Sequence, residues 1–210
     1  MPALPKLVLV VLLAISAFAI GIYVAGSNHA DRPAIAGLLW PDPPQLGAFS
    51  LSGTNGTAFT EAALSGKWTL LFFGFTHCPD VCPTTLKTLK TVRDQLAEHP
   101  FHGASQVLFV SIDPARDTPT VLRDYVQYFD PGFIAATGSD DQLKRLTRQL
   151  GVIYAKVKTA DPASYSMDHT ASILLIGPKL QLLGVFSPPH VATLLAGQIK
   201  AIIEFAEKHA

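Results

Sequence analysis

The chain of 210 residues has only two cysteines, Cys78 and Cys82, and beyond the initiator only one methionine, Met167. Two thiols are too few to staple a small secreted scaffold, so their use is chemical. Charge is scarce as well. Charged residues make up 15% of the chain, sixteen basic against sixteen acidic, for a formal net charge of zero. The Lys and Arg are scattered rather than run together, which argues against a nucleic-acid surface. No internal repeat or low-complexity tract is present.

What the chain has in excess is apolar sequence, at 49% of residues. Much of it lies near the amino terminus, where Leu7 to Ala30 contains no charged residue and Leu7 to Gly26 reads LVLVVLLAISAFAIGIYVAG. A helix of about twenty residues rises ~30 Å, enough to cross a bilayer core. A signal peptide cleaved near Ala17-Phe18-Ala19 is the competing reading, but apolar sequence continues well past that point. Lys6 and the amino terminus precede the run, so residues 1–6 are expected in the cytoplasm and the bulk of the chain outside. The start MPALPK lacks the Arg- and Ser-rich pattern of an organelle transit peptide, which favours a bacterial inner membrane with the domain facing the periplasm. On this reading residues 7–26 are the anchor, 27–46, with PDPP at 41 to 44, a tether, and 47–210 the folded domain.

Within the domain, segments flanking Gly53-Thr54-Asn55-Gly56 predict a hairpin, and the continuously apolar Trp68 to Thr76 predicts a strand covered on both faces. Leu86, Leu89, Val92 and Leu96 recur at helical spacing over 83–98, and Val107 to Ile112 follows as a second buried strand, completing a βαβ unit. Thr118-Pro119 caps the next helix. A helix over 140–150, strands over 153–157, 171–176 and 180–186, and a helix over 191–204 complete the order. Gly177-Pro178-Lys179 is short enough to pair the last two strands antiparallel. A βαβ unit followed by a ββα unit is the order of an α/β, thioredoxin-like fold, a central mixed sheet flanked by helices. In such a sheet the two cysteines, the loop 113–118 and Asp168-His169-Thr170 converge at one edge.

Pro83 disfavours helical geometry in the residue before it, which places Cys82 at the helix N-cap, where unpaired N–H groups favour thiolate. Cys78 is within reach of the same metal ion or of a disulfide with Cys82. Two thiolates and an imidazole suit Cu(I) and can hold Cu(II), whereas zinc usually takes four ligands and magnesium or calcium take oxygen. A bare Cys-x3-Cys by its spacing alone puts a structural or redox disulfide ahead of copper.

Resemblance reverses that order. FFGFTHCPDVCPTT at 72 to 85 closely resembles the signature of the Sco/SenC copper proteins, as do SIDPARDTP at 111 to 119 and DHTASILLIGP at 168 to 178, with GVIYAKV at 151 to 157 between the last two. The resemblance implies copper held by Cys78, Cys82 and His169, with Asp80 in partner docking or ligand ordering. It also implies a metallochaperone rather than an enzyme, one that supplies the dinuclear copper site on the copper-bearing subunit of cytochrome c oxidase. Such a protein needs a copper donor protein, and a thioredoxin-like reductase to keep its thiols reduced. The alternative is a thiol-disulfide oxidoreductase that reduces the oxidase's own copper-site cysteines or acts in redox signalling. Three residues between the cysteines, where thioredoxin-like enzymes carry two, favour the metal.

Other candidates are weaker. His77 adjoins Cys78, but neighbours in an extended loop point apart. Asp113, Arg116 and Asp117 could rim the site, although a loop held by caps and ion pairs is the more frequent outcome. Met167 could offer a thioether to Cu(I), yet its alternation with His169 points to packing. His29, His99, His102, His190 and His209 are expected to be solvated.

Overall fold

The structure, a computed structural model, describes residues 3–27, 34–39, 41–99, 101, 103, 105–160 and 164–209. Its contacts divide the chain into two units, Met1–Ala34 and Ile35–Ala210. The first holds helix α1, Ala3–Ser27, whose side chains are described from 8 to 23 and whose large apolar residues, from Val8 to Tyr23, are exposed. Among the described residues no helix is long and apolar enough to cross a membrane. The span expected over 7–26 is therefore unsupported by the structure. His29 and His102 lie outside the described residues.

The second unit runs β1 (Ser50–Gly53), β2 (Ala58–Thr60), β3 (Trp68–Gly74), α2 (Val81–Gln95), β4 (Ser105–Ser111), α3 (Pro119–Phe129), β5 (Ile134–Thr137), α4 (Asp140–Gln149), β6 (Tyr154–Lys158), β7 (Tyr165–His169), β8 (Ile173–Ile176), β9 (Leu182–Phe186) and α5 (Ala192–Lys208). Seven strands form one sheet in the order β2-β1-β5-β4-β3-β8-β9. β3 is buried along its whole length, parallel to β4 and antiparallel to β8, with Phe72 opposite both Phe109 and Ile173. Side chains alternate across such a strand. Leu70 and Phe72 therefore join α2, α3 and α5 in one core, while Leu71 and Phe73 join Leu143 and Leu146 of α4 in the other. The mixed sheet covered on both faces is the architecture expected from the element order.

Three features differ from the sequence reading. Residues 134–137 add a strand, parallel to β4 and antiparallel to β1; at four residues it is too short for its pattern to stand out. Second, β6 does not enter the main sheet but pairs with β7 in a separate two-stranded hairpin, Tyr154 opposite His169. Third, much of the expected tether lies along β9: Leu39 donates to the carbonyl of Leu183, and Leu182 and Val185 donate to those of Pro44 and Gly37, at 2.8–2.9 Å. Proline-rich sequence can pair along a sheet edge where its prolines need offer only carbonyls and its other residues supply the N–H groups.

Candidate metal centre

Both cysteines lie just beyond the C-terminal end of β3. Helix α2 begins earlier than Pro83 suggests, with Asp80 as N-cap and Cys82 in the first turn. The first helical N–H groups have no partner within the helix, so a proline is tolerated there without forcing the boundary. The N–H of Cys82 instead donates to the sulfur of Cys78 at 3.3 Å.

The expected roles of the thiols are reversed. Cys78 is lowered to about 4, first by a hydrogen bond from the Cys82 side chain and further, against the cost of burial, by the His169 side chain and the backbone N–H groups of Cys82 and Asp80. Cys82 is pushed up by its hydrogen bond to Cys78 and then by burial. Cys82 is fully buried in the core, whereas Cys78 is only partly covered. The helix terminus thus serves Cys78, and the anion sits where water can still reach it.

His169 ends β7. Its Nε2 lies 3.8 Å from the sulfur of Cys82, and its Nδ1 lies 3.1 Å from the carbonyl of Thr170. A carbonyl can only accept, so Nδ1 carries a hydrogen and Nε2 is the ring nitrogen that faces the sulfur. Phe72 and Phe75 hold the ring edge-on at centroid separations of 6.0 and 6.1 Å. At 3.8 Å the nitrogen and the sulfur are close enough that a soft ion held there would take both as donors. Two sulfurs and one imidazole nitrogen are a soft donor set fitted to copper. Among the described residues no group of three or more His, Cys, Asp or Glu side chains stands as a finished metal cage. The three are neighbours that would have to close further around an ion.

The sequence profile of the SCO1/SenC family matches residues 41–204. The chain belongs to that family. Among its SCO1/SenC relatives, protein SCO1 homolog 1, mitochondrial, of Arabidopsis thaliana is 38% identical over 161 residues, 76% of this chain and 47% of the relative. The chain thus corresponds to about half the length of that protein. A putative copper-binding protein of Stutzerimonas stutzeri is also 38% identical, over 72% of this chain and 74% of its own. The crystal structure of Arabidopsis thaliana ScoI with copper bound superposes with a TM-score of 0.70 at 35% identity, covering 75% of this chain and 97% of that one.

The remaining predicted residues of this SCO1/SenC chain have different places. Asp80 is exposed at the helix start and accepts from the Thr84 hydroxyl at 3.3 Å. His77 is exposed, its Nδ1 3.1 Å from the Thr76 hydroxyl. Met167 packs against both cores and forms part of a cavity of about 490 Å³ between the loop after β4, α4 and the hairpin, which none of Cys78, Cys82 and His169 lines. His99 and His190 are half-buried rather than solvated, each with a hydrogen bond to backbone.

The loop after β4 is a structural brace. Asp117, fully buried, accepts from the Thr76 N–H at 2.9 Å, the Thr76 hydroxyl at 2.6 Å and the Ser111 hydroxyl at 2.5 Å, tying the cysteine loop to β4. Asp113, also buried, is shared between Arg116 and the Tyr165 hydroxyl. Sequence reasoning did not single out Gly74. A methyl group there would meet Phe109 at 2.7 Å and the sulfur of Cys82 at 2.8 Å. Glycine makes the space the sulfur occupies, and its place in the FFGFTHC stretch was the available signal.

Proposed function

We propose that this protein is a copper metallochaperone that holds copper through Cys78, Cys82 and His169 and delivers it to the dinuclear copper site of cytochrome c oxidase during oxidase assembly. The observation that carries this reading is the 3.8 Å approach of His169 Nε2 to the Cys82 sulfur, with Nδ1 already committed to a carbonyl. A thiol exchanger has no need of an oriented imidazole there; a soft metal ion does. Family membership supports the same chemistry, since a relative is named as copper-binding and a related structure contains copper. The donors are a partly covered thiolate, a buried thiol and an imidazole nitrogen, so an arriving ion would meet Cys78 first. Asp80, exposed beside it, is suited to meet a partner.

Three partners follow from this reading: the oxidase's copper-bearing subunit, a copper donor protein, and a thioredoxin-like reductase that returns an oxidised Cys78–Cys82 pair to the binding form. In the same reading the protein acts at a bacterial inner membrane, facing the periplasm, a location that rests on the uncharged run from Leu7 to Ala30 in the sequence.

The test is copper content by native mass spectrometry on the reduced protein. One copper per chain is expected, with strong loss in Cys78→Ala, Cys82→Ala and His169→Ala and the fold retained. A His169→Ala variant with full affinity for both oxidation states would reject the ligand set.

A second reading, thiol-disulfide oxidoreductase, is favoured by one observation: Cys78 is the ionised, accessible thiol and Cys82 the buried one, the arrangement of an attacking and a resolving thiol.

A further inference from the structure

Arg116 touches none of the three proposed ligands directly, yet its contacts lead to one of them. Its Nε donates to Asp113 and its Nη1 donates to the carbonyl of Tyr165 at 3.0 Å. The guanidinium lies 3.7 Å from the Tyr165 ring centroid, and the Tyr165 hydroxyl donates back to Asp113 at 2.8 Å. Asp113, Arg116 and Tyr165 thus close a triangle between the loop after β4 and the first residue of β7. His169 is the last residue of that strand. Arg116 also stands 5.9 Å from the Phe75 ring, which in turn meets the His169 ring edge-on.

The hairpin needs such a clasp. An isolated two-stranded ribbon is marginally stable in water, and β6–β7 is outside the seven-stranded sheet, with β6 exposed from Ala155 to Lys158. Thr170 and Ile153 close its base at 2.9 and 3.1 Å, but those bonds join the hairpin only to itself. On the β6 side its polar tie to the domain is the exposed bond from the Tyr154 hydroxyl to Asp140 at 2.9 Å. On the β7 side the Tyr165 hydroxyl bonds Asp113, and Arg116 ties the strand further, fixed at once by hydrogen bonds and by its stack on Tyr165. An arginine fork supplies this combination and a lysine cannot.

We propose that Arg116 is a positioning residue for His169: it clasps β7 to the cysteine-bearing end of the sheet so that Nε2 faces Cys82. The consequence for copper rests on the reading above; the clasp itself does not. Hydrogen exchange of the copper-free, reduced full chain therefore comes first, followed by copper affinity. In Arg116→Ala, amides of 165–169 are expected to exchange at least ten-fold faster while those of β3 and β4 are unchanged, and Arg116→Lys should behave similarly because charge without the fork is not enough. Tyr165→Phe, which keeps the ring and the carbonyl, should show a smaller increase. With copper, Arg116→Ala should weaken Cu(II) binding at least ten-fold and Cu(I) binding less, with a changed Cu(II) absorption spectrum.

Wild-type exchange at 165–169 in Arg116→Ala, or full rescue by Arg116→Lys, overturns the proposal. If Arg116→Ala unfolds, the other two variants decide, and a uniform increase across β3 and β4 in them would reduce Arg116 to general support and overturn it. A wild type that binds no copper defeats the copper reading and leaves the exchange result standing.

Discussion

His169 Nε2 and the sulfur of Cys82 lie 3.8 Å apart although 87 positions separate them along the chain. The approach exists because β8 pairs antiparallel to β3, which returns the chain to the edge where the cysteine loop leaves β3. It brings an imidazole nitrogen to the more protonated of the two sulfurs. From this asymmetry the behaviour of the metal-free protein follows.

Cys78 should be alkylated first and over an unusually wide pH range. Its thiol is lowered to about 4, so the thiolate fraction is nearly constant at neutral pH and falls only on approach to that value. Iodoacetamide labelling of the reduced, copper-free protein, followed by peptide mass mapping, checks this. Cys82, raised and buried, should stay unmodified while the fold holds. Equal rates for both thiols, with midpoints between 8 and 9 as for free cysteine, would contradict the assignment.

Copper binding should therefore release about one proton per Cu(I) near neutral pH rather than two, because only Cys82 still has a proton to lose. Measuring binding enthalpy in buffers of different ionisation heat gives the count. A release close to two would mean that Cys78 is protonated before the metal arrives.

How much of this was legible follows from what each signal depends on. The apolar run Trp68 to Gly74 and the spacing of Leu86, Leu89 and Val92 are long patterns, and the structure buries all of these residues. The meeting of Cys78, Cys82 and His169 followed from strand order, which is a topological property. Which thiol ionises was not legible, because it turns first on how the two thiols bond to each other and then on which of them the core buries, both set by the folded site. The brace was half legible. Asp113, Arg116 and Asp117 were visible as a charged loop, and Ser111 adjoins it, but their partners Thr76 and Tyr165 come from distant segments.

Gly74→Ala should damage the site from below. The added carbon would fall 2.8 Å from the Cys82 sulfur and 2.7 Å from Phe109, neither of which has room to retreat in a filled core. Overpacking of this kind costs ~1–3 kcal/mol. Denaturant unfolding should show that loss, together with weakened copper binding. Full stability with full affinity would mean that the sulfur has space the structure does not contain.

Asp117→Ala should destabilise the fold by ~2–4 kcal/mol, because it strands the Thr76 N–H and two hydroxyls, part of them deep in the protein. Asp117→Asn should lose less, since its amide oxygen can still accept. Urea midpoints of the two variants test the order, and an alanine variant as stable as wild type would remove Asp117 as the tie between β4 and the cysteine loop.

The two functional readings separate on His169, because one pair of thiols cannot be a disulfide and a copper ligand set at once. Oxidation joins the two sulfurs with loss of two electrons and, near neutral pH, the one proton that Cys82 holds, and should abolish copper binding until a dithiol reductant reverses it. If Cys78 attacks a partner's disulfide and Cys82 resolves the mixed intermediate, the imidazole has no required part, whereas a copper site of two sulfurs and one nitrogen loses a third of its donors without it. His169→Ala should thus lose copper transfer to a soluble oxidase copper domain while still reducing that domain's disulfide stoichiometrically. Both reactions can be followed on the same protein, one by the absorption of the dinuclear copper centre and the other by free-thiol titration. Catalytic reduction by the wild type with no detectable copper transfer would make the oxidoreductase reading the better one and leave the oriented imidazole without an explanation.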